Sequence, residues 1–367
     1  MALTNYWWLL IWLFAIGGFL KYKLPKQKMN VHGVIEERWT ILATIGLVLP
    51  YAIWAGTRGN FADTNAYRKM FIEAPAQLSD LVTYTVKIDK DKGFSAFIVL
   101  FKSFISDSHV LFFSAVAFFQ MFCVAYIFRK YSRDFWITFF LFITSSSYLS
   151  WMFNGMRQFI AVCFCLLATR YVLDKNYLKS IILVIIASQF HGTAWIMLIV
   201  FFIAQGQAWN KKTLFFILLT ILAVFYIGNF TNLLNDVLAG TQYGDMMSSD
   251  IWAQDDGTNI IRVMVNAVPA VLSFLGRKII QKENNSLINL CTNMSIIGTG
   301  IYLISMVTSG IFIGRMPIYM MMYSYILLPW EIENFFTTKS KRIVYIMMMC
   351  GYLGYFYYQM HFAFSLL

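Results

Sequence analysis

Charge is what this chain has least of. Of its 367 residues only 13% are Asp, Glu, Lys or Arg, against about 25% in an ordinary soluble domain. That shortage excludes a water-soluble enzyme and a disordered chain. Proline and histidine are scarce as well, at 6 and 4. The five cysteines (Cys123, Cys163, Cys165, Cys291, Cys350) lie in or beside apolar stretches and lack zinc-ligand spacing. Cys163-Val-Cys165 falls mid-helix, where both thiols act as small hydrophobes. No cluster of Asp, Glu and His stands at ligand spacing, so neither a metal nor another cofactor is indicated. No Lys or Arg precedes Lys21, so the basic start of a cleaved signal peptide is missing and the first helix is expected to remain as an anchor. The absence of an internal repeat disfavours transporters built from duplicated halves.

What the chain has instead is apolar length. Hydrophobic residues make up 59% of it, in recurring runs of 15–20. The predicted fold class is an all-α polytopic integral membrane protein of about 12 transmembrane helices, each needing ~20 residues. The predicted spans are 4–20, 39–55, 109–128, 134–150, 155–173, 178–190, 192–205, 213–230, 259–276, 287–308, 311–330 and 343–361. Together they leave no room for a large soluble domain, so residues 1–367 are expected to form one transmembrane domain. The stretch 94–105 is interrupted by Lys102 and is short for a span; it reads as a helix lying on the surface or re-entering.

The net charge of +11 would suit a nucleic-acid binder, but its distribution does not. Basic residues cluster between apolar runs, as the positive-inside rule requires. With Lys21, Lys23, Lys26, Lys28 and Arg38 placed inside, alternation puts 19 of the 29 Lys and Arg in cytoplasmic loops. Seven more fall in the long outer loop 56–108. This pattern requires 178–205 to be split at His191-Gly192 into a broken or tilted pair.

Unusual polar residues then collect on the outer face. They are Arg58, Asp63 and Tyr67 after the second span, Asn154, Arg157 and Gln158 at the fifth, and His191 at the hairpin. Arg262 opens the ninth span and Arg315 and Tyr319 the eleventh. Charges at membrane depth are expensive and usually line a cavity. Four arginines at one depth suit phosphate, because guanidinium presents a fixed fork of donors and stays charged. Fixed cations can stabilise a departing lipid diphosphate without a metal. Transfer to a sugar hydroxyl then needs a general base, for which Asp63 and His191 are the candidates. Each residue also has a plainer reading: arginines at helix ends snorkel, a histidine can mark a bend, and tyrosines favour interfaces. The outer loop 231–258 carries five aspartates, no Lys or Arg, and the aromatic and amide residues common in sugar binding.

Four motifs carry a family resemblance: Arg58…Asp63-Thr-x-x-Tyr67, Asn154-Gly-Met-Arg157-Gln158-x-x-Ala161, Phe190-His191-Gly192-Thr-Ala194 and Gly314-Arg315-Met316. In order and separation the chain resembles the EpsG/Wzy-type bacterial polysaccharide polymerases over roughly residues 40–330. The resemblance implies a GT-C-like architecture with an outward-facing cavity and helical outer loops, sited in the bacterial inner membrane with its active site on the periplasmic face. It implies an inverting glycosyltransferase that moves a growing glycan from undecaprenyl diphosphate to the non-reducing end of a lipid-linked oligosaccharide repeat unit. A flippase and a chain-length regulator are the pathway partners it implies. Mapped onto this chain, Arg157 and Arg315 would hold the diphosphate, with Arg58 and Arg262 behind them. Asp63 would be the base, with His191 as alternative, and Tyr67, Asn154, Gln158 and Tyr319 would contact sugar or support the site. Competing expectations are a lipid-linked oligosaccharide flippase and another membrane transferase, a ligase or an acyltransferase.

Overall fold

The structure, a computed structural model, describes residues 6–24, 26–31, 34–227, 233, 236 and 257–364. The acidic stretch 231–258 lies almost wholly outside the described residues. Among those residues the chain is mostly helical. It divides into two compact units. One comprises Met1–Thr169, Ile182–Ala194 and Phe336–Leu367, the other Arg170–Ile181 and Trp195–Phe335.

The first unit opens with α1 (Trp8–Lys23), two strands β1 (Lys26–Val31) and β2 (Val34–Trp39), and α2 (Ile41–Gly56). The strands depart from the all-helical expectation. They pair antiparallel, with Lys28 opposite Glu37, so opposite charges face each other across the hairpin. Arg129 holds the hairpin from the end of another helix, donating from Nε to the Trp39 carbonyl at 2.6 Å and from Nη2 to Gln27 at 2.9 Å. The long loop that follows is helical, as expected: α3 (Thr64–Glu73), α4 (Leu81–Val86) and α5 (Lys92–Phe104). The segment read as surface-lying or re-entrant is thus a full helix with one buried face. Phe94, Ile98 and Phe101 of α5 pack with Tyr67 and Phe71 of α3. Lys102 Nζ donates to the Phe71 and Ala74 carbonyls at 3.1 and 2.5 Å, satisfying acceptors that the end of α3 leaves open.

Next come α6 (His109–Tyr131), α7 (Phe135–Thr144), α8 (Ser147–Leu149) with a π-helical turn Ser150–Asn154, and α9 (Met156–Leu173). The single span expected at 134–150 is instead a bent pair, Phe135–Thr144 and Ser147–Asn154, at 68°. The cause is local. Thr144 Oγ1 and Ser145 Oγ donate to the Phe140 and Phe142 carbonyls at 2.7 and 3.2 Å. Side-chain hydroxyls here compete for the backbone acceptors, and Ser146 turns left-handed at φ 60°. Helix α10 (Tyr177–Phe190) ends one residue before His191, and a 3-10 turn, Gly192–Trp195, follows. The break expected at His191-Gly192 is therefore present.

The second unit contains α11 (Ile196–Ala204), α12 (Lys211–Phe225), α13 (Ile260–Leu275), α14 (Arg277–Glu283), α15 (Ser286–Met306) and α16 (Ile318–Phe335). Helix α15 is its axis, packed against α11, α12, α13 and α16. Asn210, Asn259 and Asn285 cap α12, α13 and α15 by accepting from the first free N–H groups. The last helix, α17 (Thr338–Tyr358), belongs to the first unit. Among the described residues three helices, α6, α9 and α15, are long and apolar enough to cross a membrane, and counting each bent pair as one span raises this to five.

Candidate functional site

In the first unit, α9 begins at a break that its neighbours hold in place. Tyr67 reaches across from α3, and its hydroxyl donates to the Asn154 carbonyl at 3.1 Å. Gln120 Nε2 on α6 donates to the Met156 carbonyl at 2.9 Å. Arg157, the next residue, projects from this fixed point. Its guanidinium lies 5.9 Å from the centre of the Tyr67 ring. Its Nη1 meets Asp91 Oδ2 at 2.8 Å. Its Nε is buried and has no hydrogen-bond partner among the described residues.

Asp91 precedes α5 and stands in a left-handed conformation, φ 53° and ψ 47°. Its second oxygen accepts the backbone N–H of Gly192 at 3.3 Å. The carboxylate thus links the start of α9 to the break after α10. Burial pushes the Asp91 carboxyl above the ordinary range, while Arg157, the Gly192 N–H and Lys90 pull the other way. The side chain of Asp91 is 7% exposed and that of Arg157 is 30% exposed, so solvent reaches the cation more than the anion. Gly93 explains the close fit here. A Cβ at that position would lie 2.5 Å from the Gln189 Cβ and 2.7 Å from its carbonyl oxygen, so only glycine lets α5 start against the end of α10.

His191 and Gln158 meet through Thr193. Gln158 Nε2 donates to the Thr193 hydroxyl at 3.4 Å, and that hydroxyl lies 2.7 Å from His191 Nδ1. Asp63 is exposed at the N-cap of α3 and makes no capping hydrogen bond there. Arg58 is placed differently from Arg157. Its Nε donates to Thr64 Oγ1 at 3.2 Å, its Nη1 to the Ala55 carbonyl at 2.8 Å and its Nη2 to Met156 Sδ at 3.4 Å. The guanidinium sits between the Phe113 and Phe153 rings, at 4.7 and 5.3 Å. Burial lowers its pKa to about 10, which still leaves it charged at neutral pH. Burial also raises the Tyr67 phenol, against the pull of Arg157.

The structure therefore brings Tyr67, Asn154, Arg157, Gln158 and His191 together around Asp91, Gly192 and Thr193, with Asp63 at the head of the helix that carries Tyr67. The motif-based reading missed Asp91. It is one of several acidic residues scattered through a basic loop, and its partners are remote in sequence. The one local signal is its position before Lys92-Gly93-Phe94, where an apolar helix starts.

Arg262, Arg315 and Tyr319 belong to the second unit. The Arg262 guanidinium lies 5.7 Å from the centre of the Tyr302 ring. Arg315 is half-buried in the turn Ile313–Arg315, and Tyr319 is buried at the start of α16. A Cβ at Gly314 would meet Thr258 Oγ1 at 2.3 Å. Glycine there lets the turn bearing Arg315 pack on the segment that leads into α13 and Arg262. Among the described residues no three His, Cys, Asp or Glu side chains converge as a metal would require.

A sequence model described as the EpsG family matches residues 41–366, nearly the whole chain. No curated protein and no solved structure matches it.

Proposed function

The chain belongs to the EpsG family, whose members are Wzy-like polysaccharide polymerases, and we propose that it is an inverting glycosyltransferase acting on lipid-diphosphate-linked glycans. Its donor is a growing chain on undecaprenyl diphosphate. Its acceptor is the non-reducing end of one lipid-linked repeat unit. The acceptor oxygen attacks the anomeric carbon, the bond to the diphosphate oxygen breaks, and undecaprenyl diphosphate leaves with the electron pair. The acceptor proton passes to a base on the protein.

One observation carries this reading. Arg157 stands at the head of an apolar helix, lies beside Tyr67, and keeps a buried Nε–H without a hydrogen-bond partner among the described residues. A guanidinium with an uncommitted donor is suited to a phosphate oxygen. We place the diphosphate at Arg157, and from their own motifs we propose Arg315 and, behind it, Arg262 as phosphate-binding residues of the second unit. Arg58 has a supporting part, because each of its three nitrogens donates within the fold, to Thr64, Ala55 and Met156. Asp63 is the first choice of base, since its carboxylate is exposed at the head of the helix that supports Arg157 through Tyr67. His191 is the alternative. Its Nδ1 lies 2.7 Å from the Thr193 hydroxyl, which also accepts from Gln158 Nε2, so the ring is held in place to orient the acceptor or meet the phosphate. Asn154 and Gln158 set the geometry, and Tyr319 is assigned to sugar contact.

The same reading places about 12 spans of one transmembrane domain in the bacterial inner membrane. The architecture is GT-C-like, the cavity opens to the periplasmic side, and a flippase and a chain-length regulator work in the same pathway. The test is a gel of surface polysaccharide from the source strain with the gene deleted, then complemented with wild type, Arg157→Ala or Asp63→Asn. The expected deletion phenotype is single repeat units on the acceptor, with a ladder restored by wild type alone. Loss of all surface units with lipid-linked units accumulating inside would instead identify a flippase.

A further inference from the structure

We propose that Asp91 is an internal anion that occupies the phosphate position at Arg157, and that the incoming diphosphate displaces it. This rests on the reading of Arg157 as the diphosphate site. Two donors from different elements, Arg157 Nη1 and the Gly192 backbone N–H, converge on the two Asp91 oxygens at 2.8 and 3.3 Å. Neither donor is a neighbour of Asp91 in sequence. A carboxylate accepting from a guanidinium and a main-chain N–H presents the same acceptors as two oxygens of a phosphate.

The arrangement is incomplete in a specific way. The carboxylate serves one arm of the guanidinium and leaves the buried Nε–H unmet. A diphosphate has more acceptor oxygens and more charge, and it can take Nη1 and the Gly192 N–H with one phosphoryl group and reach further guanidinium donors with the other. The carboxylate is also held under constraint. Its residue adopts a left-handed backbone that non-glycine residues seldom take, and Gly93 locks the following turn against Gln189. A group held this way is the weaker competitor once a diphosphate arrives at the exposed side of Arg157.

The exchange has a consequence for turnover. An internal competitor lowers apparent affinity by the fraction of time it holds the site. It therefore weakens binding of the donor and of the spent lipid diphosphate alike. The return of Asp91 to Arg157 helps the product leave, so the chain does not stall on the carrier it has just released.

The test uses the purified full chain in zwitterionic lipid nanodiscs, with farnesyl diphosphate and inorganic pyrophosphate as probes. Asp91→Asn keeps the shape and an acceptor for Gly192 while removing the charge. It should bind farnesyl diphosphate about 5–10-fold more tightly than wild type, with kcat and KM for polymerisation both reduced. Arg157→Ala should bind it weakly. A gain with farnesyl diphosphate alone marks a lipid-linked ligand, and an equal gain with pyrophosphate marks recognition of the diphosphate group itself. In wild type, saturating pyrophosphate should raise hydrogen exchange across residues 89–95 while leaving 191–195 protected, and this reads the exchange even where Asp91→Asn does not purify. Unchanged or weaker binding by folded Asp91→Asn, or unaltered exchange across 89–95, overturns the proposal. Wild-type binding by Arg157→Ala overturns the reading of the diphosphate site instead.

Discussion

Arg58 and Arg157 are tied to the same short stretch of chain, the first through Met156 and the second as the residue after it, yet their guanidinium groups live in different surroundings. Arg58 is enclosed by Phe113 and Phe153 and directs its donors at a hydroxyl, a carbonyl and a thioether. Arg157 is partly exposed, meets one carboxylate, lies against the Tyr67 phenol and keeps a buried Nε–H without a hydrogen-bond partner among the described residues. A cation whose three nitrogens each donate within its own protein stabilises a fold. A cation with a donor to spare can stabilise a substrate. The family resemblance sets Arg157 ahead of Arg58, and the packing gives their guanidinium groups different surroundings.

The largest expected effect follows from that contrast. Arg157→Ala should lower polymerisation by ~10²–10³-fold, the usual cost of one lost donor to developing charge, with some loss of melting temperature because the buried Asp91 carboxylate loses its counter-charge. Arg58→Ala should act in the opposite order. It takes a donor from the Thr64 hydroxyl and the Ala55 carbonyl, leaves a cavity beside Phe113 and Phe153, and should cost about 3 kcal/mol of stability, read as a lower melting temperature in detergent. If Arg58→Ala melts like wild type but cannot polymerise, the contrast between the two arginines is wrong.

A smaller effect should come from Gly93→Ala. The added methyl drives α5 away from Gln189 and should cost about 1–3 kcal/mol, with activity falling as Asp91 loses its place. Wild-type melting and activity for this variant would show that the Asp91 turn needs no such fit.

The smallest concerns pH. Burial raises the Asp91 carboxyl, so the folded state keeps that proton to a higher pH than the unfolded chain does. The contribution is full in acid and is lost as pH rises through the raised carboxylate range. Melting temperatures measured between about pH 4 and 7 should therefore include a falling component in wild type that Asp91→Asn lacks. Parallel curves for the two proteins would remove the charge of Asp91 from the account.

Much of the fold was legible because membrane helices are written in runs of apolar residues. The helices at 41–56, 109–131, 156–173 and 286–306 lie close to the expected spans. The break at His191 was forced by the placement of basic clusters. The bend after Thr144 was not anticipated, although Thr144-Ser145-Ser146-Ser147 supplies the hydroxyls that cause it. The hairpin at 26–39 was hidden because its lysines were read only as an orientation signal. At the site, the arginines, Asp63 and His191 stood out by rarity. Asp91 did not, because its importance lies in an ion pair to Arg157 and a hydrogen bond to Gly192, both far along the chain. The same limit hid the committed state of Arg58, since burial between two aromatic rings leaves no local mark.

The most direct test supplies the purified chain, in proteoliposomes, with one synthetic repeat unit on a polyprenyl diphosphate. The account predicts a ladder of products with one polyprenyl diphosphate released per linkage formed, and no ladder with Arg157→Ala. Transfer of the intact lipid-linked unit across the bilayer, with no linkage formed and no diphosphate released, would contradict it.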